Sequence, residues 1–486
     1  MAEEKQEASK SGDAPKIEIK DEIVETLHSV VVGGKRIDYK ALTGTLALKD
    51  ETGKAKAAIF FIAYFKQGVD DPATRPLTIS FNGGPGSSSV WLHLGVLGPR
   101  RVISGDVGAL AKPPYRVVDN DFSLLDVSDL VFIDPVSTGY SRAATAEEAK
   151  QFHGYEQDVE SVGNFIRLFV SRYQRWSSPK FLIGESYGTT RAAGLSGYLQ
   201  EQHGMYLNGL MLISAVLDFQ TGAFELGNDL VYVLYLPTYA ATAWYHGALS
   251  AELQARPLVE FLNEVEHFAT HDYLLALMEG DRLEGEALQN VAQQVARYTG
   301  LSAEYVVHSR LRIEHVRFAK QLLRTKERTV GRLDSRFTGY DRDAAGEFFE
   351  HDPSFSAIQG PYGGALNAYL RDELNFASDL PYTLISSIHE KWDYSKFANK
   401  YVNVADTLRK AMNQNNHLKV YVASGFFDLA TPYFATDYTL NHLGVDPNLH
   451  KNVAVSYFSA GHMMYVHEPS LVQLKKDLAA FVVNSR

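Results

Sequence analysis

The stretch KFLIGESYG, residues 180–188, decides the fold of this chain. Lys180 to Ile183 form a short, mostly apolar run typical of a buried strand, and the small residues from Thr189 to Tyr198 predict a helix directly after it. The turn between them has the pattern G-x-S-x-G, which holds a serine hydroxyl at the end of a strand. Both flanking glycines are expected on steric grounds, because a Cβ would clash in so sharp a turn.

Short apolar runs also lie on either side of this turn. They predict strands at Leu77–Phe81, Leu130–Ile133, Leu210–Ser214, Lys419–Ala423 and Val453–Phe458. Apolar strands that alternate with helical patterns indicate a parallel sheet covered on both faces, so the class is α/β. Before them, strand-like stretches broken by glycine turns predict an antiparallel meander, at Ser29–Val32, Leu42–Leu48 and Ala57–Phe65.

The composition and hydrophobic pattern change along the chain and predict four parts. Residues 1–24 read as a flexible N-terminal arm, because they contain almost nothing apolar to bury. Residues 25–219 and 386–486 read as the two parts of the α/β core. Residues 220–385 read as a helical cap insertion, with helical spacing at 251–268, 284–298 and 303–325. Within the cap, Glu314 and His315 are interpreted as a solvated helix face.

Composition excludes several classes of function. The chain has 486 residues, 45% of them hydrophobic and 22% charged, which is ordinary for a soluble enzyme. A net charge of -11 without a basic stripe argues against nucleic acid as a partner. The longest apolar run, Ala57–Phe65, is far shorter than the roughly 20 residues that cross a bilayer, so no membrane partner is expected.

The absence of cysteine excludes disulfides, thiolate metal sites and a cysteine nucleophile. Residues 1–20 lack the apolar segment of a signal peptide, so we expect none in this sequence. The compartment stays open: periplasmic or secreted if a signal peptide has been removed, and cytoplasmic otherwise. Whether the chain forms a homodimer is open as well.

A serine nucleophile needs a general base, and the base needs an acid that orients it. With a G-x-S-x-G turn the order along the chain is serine, acid, histidine. Asp428 and His462 each follow a short apolar strand, where open α/β sheets place their sites. The alternatives are His442 and His467 as base and Asp134 as acid, although Asp134 precedes the serine.

The loop NGGPG, residues 82–86, supplies a candidate oxyanion hole. In this arrangement the hole uses the amide after the nucleophile, here Tyr187, and an amide from an earlier strand-to-helix loop. Two adjacent glycines allow an amide to point into the site. The loop matches neither common phosphate-binding pattern, and no metal-ligand motif occurs, so neither a metal nor an organic cofactor is expected.

Four ordered motifs resemble the serine carboxypeptidases, which are α/β-hydrolases that remove the C-terminal amino acid from peptides. The motifs are NGGPGSSS at 82–89, FIDPVSTGYS at 132–141, GESYG at 184–188 and GHM at 461–463. The resemblance implies an α/β-hydrolase fold with a helical cap insertion. It also implies peptide substrates with a free C-terminus, cleaved through an acyl-enzyme on Ser186.

The same resemblance assigns roles to eight residues. The triad is Ser186, Asp428 and His462, the oxyanion hole is the amides of Gly84 and Tyr187, and the substrate carboxylate is held by Asn82, Gly83 and Glu185. A glutamate beside an anionic group is tolerable only if the two share a proton. Peptide hydrolysis is therefore expected to weaken as the pH rises toward neutral, and ester hydrolysis less so.

The chain departs from the family pattern at a few positions. Val96 stands where many members have a glutamate that supports the carboxylate site, so this site is expected to be weakened or rebuilt. Ser80 replaces a common tryptophan, and Ser87 and Thr431 stand where some members carry cysteines. Together with the lack of cysteine, these departures suggest a bacterial-type branch with a different substrate. The alternatives are a serine esterase or acyltransferase on the same scaffold, and a non-catalytic binding protein that keeps the fold.

Overall fold

The structure is a computed structural model that describes residues 17–486. Most of the expected N-terminal arm, residues 1–16, lies outside the described residues. The first strand begins at Glu22, inside the range expected for the arm. The strands are β1 Glu22–Val32, β2 Lys35–Lys49, β3 Ala55–Lys66, β4 Leu77–Phe81, β5 Arg100–Val102, β6 Val117–Asp119, β7 Asp129–Ile133, β8 Arg142–Ala143, β9 Lys180–Ser186, β10 Gly209–Ala215, β11 Thr329–Val330, β12 Thr338–Gly339, β13 Lys419–Gly425 and β14 Val453–Phe458.

One large sheet organises the described part of the chain. Its order is β1-β2-β3-β7-β4-β9-β10-β13-β14, with β8 added beside β3. The meander β1-β2-β3 is antiparallel, as its pattern predicts, and from β7 to β14 every neighbour is parallel. The carboxyl ends of the parallel strands therefore meet at one edge.

Helices cover both faces of this sheet. They are α1 Val90–Leu92, α2 Ala146–Ala149, α3 Tyr155–Arg172, α4 Tyr187–His203, α5 Leu230–Tyr245, α6 Ala251–Gln254, α7 Leu258–Phe268, α8 Leu274–Glu279, α9 Gly285–Thr299, α10 Ala303–His308, α11 His315–Gln321, α12 Pro353–Asp372, α13 Ala405–Gln414, α14 Tyr433–Asn441 and α15 Glu468–Asn484. On β9, Leu182 packs into one apolar cluster, while Phe181 and Ile183 pack into another. Alternate side chains thus bury on opposite faces, which explains why the strand reads as a continuous apolar run.

Helices α5 to α12 lie between β10 and β13, and most of them share a third apolar cluster. This cluster also takes in Phe427, Leu429 and Tyr433, which follow β13. The helical segment is therefore packed against the last part of the core. Its expected limits, 220 and 385, stay a prediction.

The helical segment differs from expectation in two details. The pattern at 303–325 is two helices, α10 and α11, because Arg310 and Leu311 adopt positive φ angles of 50° and 64°, which no helix tolerates. The solvated face expected at His315 is also wrong. Its ring packs against Phe224 and Tyr235, with centroids 5.1 and 5.8 Å away, and burial lowers the pKa of His315 to about 3.

Across residues 17–486, none of the helices combines the length and apolarity that a membrane crossing requires. The same range contains no group of three or more His, Cys, Asp or Glu side chains arranged to hold a metal ion.

Candidate active site

The turn after β9 places Ser186 in a strained backbone conformation. The strand ends at this residue, α4 begins at Tyr187, and Ser186 has φ 60° and ψ -131°. A Cβ on Gly184 would lie 2.1 Å from the carbonyl oxygen of Gly188, and one on Gly188 would lie 2.9 Å from that of Phe81. Both glycines are therefore required by close packing, for the steric reason that the sequence suggests.

Asp428 and His462 form a buried pair beyond the ends of β13 and β14. Nδ1 of His462 lies 2.7 Å from Oδ2 of Asp428. The other oxygen, Oδ1, accepts from the amides of Ala430 and Thr431 at 2.8 and 3.0 Å, and the Thr431 hydroxyl donates to Oδ2 at 2.7 Å. Burial opposes protonation of the ring, but the charge and hydrogen bond of Asp428 outweigh it and raise the pKa of His462.

Ser186 and His462 line the same cavity, which has a volume of about 1310 Å³. Because Nδ1 of His462 faces Asp428, Nε2 is the ring nitrogen left for the serine hydroxyl. Within residues 17–486 the Ser186 hydroxyl donates no hydrogen bond. Contacts of this kind are often long in an enzyme without substrate, so the arrangement is compatible with a nucleophile and its base.

The loops that contain Asp428 and His462 are both held by residues 332–335, which we call the clamp segment. The amide of His462 donates to the Leu333 carbonyl at 2.6 Å, and the amide of Leu429 donates to the Arg332 carbonyl at 3.1 Å. From the sheet side, the Ser214 hydroxyl donates to the His462 carbonyl at 2.7 Å. The helical segment thus fixes the position of both loops.

The loop at 82–86 lies against the start of α4. A Cβ on Gly83 would be 2.4 Å from the amide nitrogen of Tyr187, so this position admits only glycine. Gly84 has a φ of 106°, and among the described residues its amide donates no hydrogen bond. The Tyr187 amide is the first of the helix and has no partner along α4. Both amides are therefore available to an oxyanion.

Glu185 is buried between two donors. Nδ2 of Asn82 donates to its Oε1 at 2.9 Å, and the hydroxyl of Tyr465 donates to its Oε2 at 2.6 Å. The residue is only 3% exposed, although it lines the cavity beside Ser186. Burial raises the pKa of Glu185 to about 7, even though the His462 ring and the two donors act in the opposite direction.

Two functional neighbours were missed by sequence reasoning. Arg191, fully buried on α4, donates to Asp158 at 2.7 Å and to the Asn82 carbonyl at 2.6 Å, so it fixes the glycine loop. A lone arginine in a helix of small residues is a signal that could have found it. Tyr465 carries no such signal, because its contact with Glu185 joins residues 280 positions apart.

The alternative acid and bases lie in other surroundings. His442 is exposed, with Nδ1 2.7 Å from the carbonyl of its own helix, and Nδ1 of His467 lies 2.8 Å from the Ser470 hydroxyl. Asp134 accepts from the Tyr382 hydroxyl at 2.8 Å, and burial raises its pKa to about 6. In the described range, none of the three hydrogen-bonds to Ser186 or lines its cavity.

The cavity walls are largely apolar and aromatic. Trp91 lies beside Phe355, with ring centroids 6.1 Å apart, and Phe219 lies beside Tyr394 at 5.9 Å. Such walls suit the side chains of a peptide, with few polar groups to orient it. Val96 is absent from the lining: it is wholly buried in an apolar cluster.

Comparison with known proteins places this chain in a family. The family model for serine carboxypeptidases matches residues 34–336, more than half of the chain, and so includes Asn82 and Ser186 but ends before Asp428 and His462. Serine carboxypeptidase-like 34 of Arabidopsis thaliana is 23% identical over 429 residues, which cover 85% of this chain and 76% of that protein. Serine carboxypeptidase-like 44 of the same plant is 24% identical over 237 residues, 47% of this chain and 44% of that protein.

Among solved structures, the chain is similar to Kex1Δp, a prohormone-processing carboxypeptidase from Saccharomyces cerevisiae. The TM-score is 0.55 at 16% sequence identity, covering 92% of this chain and 91% of that one. This likeness, together with the parallel sheet, confirms the α/β-hydrolase fold. The chain therefore belongs to the serine carboxypeptidase family and is an enzyme of the hydrolase class.

Proposed function

We propose that this protein releases C-terminal amino acids from peptides through an acyl-enzyme on Ser186. The observation that carries the proposal is the position of Glu185. A carboxyl group that is 3% exposed and has a pKa raised to about 7 lines the cavity directly beside the nucleophile. A protonated carboxyl group is suited to pair with the free carboxylate of a peptide.

The chemistry follows from the arrangement of the triad. Nε2 of His462 takes the proton of the Ser186 hydroxyl as the oxygen attacks the last peptide carbonyl, and Asp428 stabilises the cation that forms. The negative oxygen of the tetrahedral intermediate accepts hydrogen bonds from the amides of Gly84 and Tyr187. His462 then protonates the leaving amine. In the second half, the same ring activates the water that hydrolyses the ester.

The free C-terminus is held beside this machinery. In the proposal the Asn82 side chain and the Gly83 amide donate to the terminal carboxylate, and Glu185 shares a proton with it. This restricts cleavage to the last bond, because a longer chain would place an uncharged peptide group there.

An unblocked peptide and its C-terminal amide, incubated side by side and followed by mass spectrometry, test this function. Stepwise loss from only the free-acid peptide is expected, with no loss from either in the Ser186→Ala variant. Equal cleavage of both peptides, or internal cuts, would contradict carboxypeptidase action. A chain whose Ser186 never reacts with an organophosphonate would be a binding protein.

A serine esterase or acyltransferase is the second candidate, and Val96 is the observation that favours it. An apolar side chain at this position offers no hydrogen bond to the carboxylate subsite. Its absence is expected to weaken the hydrolysis of free-acid peptides more than that of esters. Hydrolysis of simple esters without loss from the free-acid peptide would select this candidate.

Two finer assignments stay proposals. The bacterial-type branch rests on the departures from the family pattern and on the absence of cysteine, and sequencing of the DNA around the native gene tests it: bacterial neighbouring genes are expected, and eukaryotic ones would contradict it. The homodimer is tested by light scattering, where a mass near twice 54.1 kDa is the expected result for a dimer.

A further inference from the structure

A buried tyrosine supports the glutamate of the proposed carboxylate subsite. Tyr465 lies three residues after His462, and its hydroxyl donates to Oε2 of Glu185 at 2.6 Å. Tyr465 itself is 3% exposed and does not line the cavity. It therefore reaches a substrate only through Glu185.

The phenol has no freedom to leave this position. Its ring packs so closely on Gly95 that a Cβ there would lie 2.3 Å from Cε2 of Tyr465. The rest of the ring belongs to the same apolar cluster as Val96. A side chain locked by packing presents its hydroxyl in one direction, which is what a supporting group requires.

Val96 and Tyr465 belong to the same apolar cluster, but Val96 has only methyl groups, whereas the Tyr465 hydroxyl reaches Glu185. We propose that Tyr465 is the positioning residue of the carboxylate subsite: it holds Oε2 of Glu185, favours the ionised carboxyl and so sets the upper pH limit of peptide hydrolysis. This inference rests on the proposed carboxypeptidase function.

Other charged and titratable groups face Glu185 from the neighbouring elements. His462 favours its ionised form and Asp428 opposes it, both from the loops after the last two strands. Burial and the Glu185 charge both raise the pKa of Tyr362 on α12. Asn82, in the loop after β4, donates a hydrogen bond to Glu185. None of these groups changes when only the Tyr465 hydroxyl is removed.

The test is the pH profile of Tyr465→Phe, which keeps the ring and loses the donor. The quantity to follow is kcat/KM for a free-acid peptide divided by kcat/KM for an ester, because titration of His462 cancels in this ratio. In the wild type the ratio is expected to fall as Glu185 ionises. In Tyr465→Phe the fall is expected to begin about one pH unit higher, because a hydrogen bond to a charged group stabilises that charge.

Tyr433→Phe is the matched control. Tyr433 is also a buried tyrosine that donates to a glutamate, Glu266, at 2.7 Å, but it lies outside the cavity lining. Its ratio is expected to follow the wild type. Incorporation of 3-fluorotyrosine at position 465 keeps the fold and strengthens the donor, so it is expected to move the fall to lower pH.

The two proposals fail in different ways. If the wild type treats free-acid and amidated peptides alike, the carboxypeptidase function is wrong. Suppose instead that the wild type selects free-acid peptides, but the pH profiles of Tyr465→Phe and of the fluorinated protein coincide with the wild-type profile. In that case only the role of Tyr465 is wrong. Should Tyr465→Phe fail to fold, the fluorinated protein alone decides.

Discussion

At the scale of single residues, the candidate site stores strain at Ser186, the proposed nucleophile. Ser186 holds φ 60° and ψ -131°, a region almost reserved for glycine, which costs about 1–3 kcal/mol. Next to it, Ser214 has a φ of 51° and donates to the carbonyl of His462. Strain of this size persists only because β9, β10 and α4 pack around the turn. The geometry exposes a hydroxyl at the expense of stability.

Replacing the serine by glycine should release this strain. Ser186→Gly and Ser186→Ala are both expected to be inactive. The glycine variant is expected to be more stable than the alanine variant by roughly 1 kcal/mol, since relief of strain exceeds the entropy cost of glycine in the unfolded chain. Urea unfolding of the two proteins measures the difference, and an alanine variant of equal or higher stability would speak against strain at this residue.

Glu185→Gln should remove the pH dependence of peptide binding. Because burial raises the pKa of Glu185 to about 7, the group is protonated below that pH and ionised above it. The wild-type ratio of peptide to ester kcat/KM is therefore expected to fall about tenfold from pH 6 to pH 8. Glutamine cannot ionise and still donates, so its ratio should change less than about twofold. A wild-type fall retained in Glu185→Gln would locate the titrating group elsewhere.

At the scale of elements, the strand, turn and helix around Ser186 are the part that sequence reasoning predicts best. The apolar run, the two glycines and the small helix residues all point to the same geometry, because a steric requirement acts on each position. The break between α10 and α11 has no such signal. Arg310 and Leu311 are ordinary helix residues, and only tertiary packing places them at positive φ.

Gly184→Ala should destroy this element. The added Cβ would meet the Gly188 carbonyl at 2.1 Å, so β9 and α4 must separate. We expect a loss of about 3 kcal/mol or more, measured by chemical unfolding, and a loss of activity toward peptides and esters alike. Gly346→Ala is the control, since its nearest contact would be 3.7 Å away, and it should stay within about 0.5 kcal/mol of the wild type. Similar values for the two variants would contradict the packing argument.

At the scale of the whole molecule, sequence reasoning gives the class and the order of the site residues but not the neighbours of each strand. The position of β7 between β3 and β4 depends on a chain crossover that apolar runs do not encode. The contact of Tyr465 with Glu185 is equally invisible, because it depends on how a distant loop folds over the sheet. The family motifs indicate the chemistry of the site, but they do not identify the residues, such as Tyr465, that hold the site residues in place.

The helical segment and the sheet should unfold together. Its apolar cluster includes Phe427 and Leu429, which flank Asp428, so the two parts share a core. Leu262→Ala in this cluster and Leu199→Ala in a sheet cluster are each expected to cost about 2–5 kcal/mol. In calorimetry each variant should show a single transition at a lower temperature. Two separate transitions, with only one shifted by Leu262→Ala, would mean an independent cap.

The clamp segment also limits how this enzyme can be altered by exchange of parts. Residues 332–335 belong to the helical segment, yet their carbonyl groups accept hydrogen bonds from the amides of Leu429 and His462. A chimera that imports helices from a relative to change substrate choice would also import the segment that holds the loops of Asp428 and His462. Recombination is therefore expected to succeed only when the crossover points leave this stretch with its own C-terminal strands. Substrate choice therefore cannot be changed by exchange of the helical segment without also changing the support of Asp428 and His462.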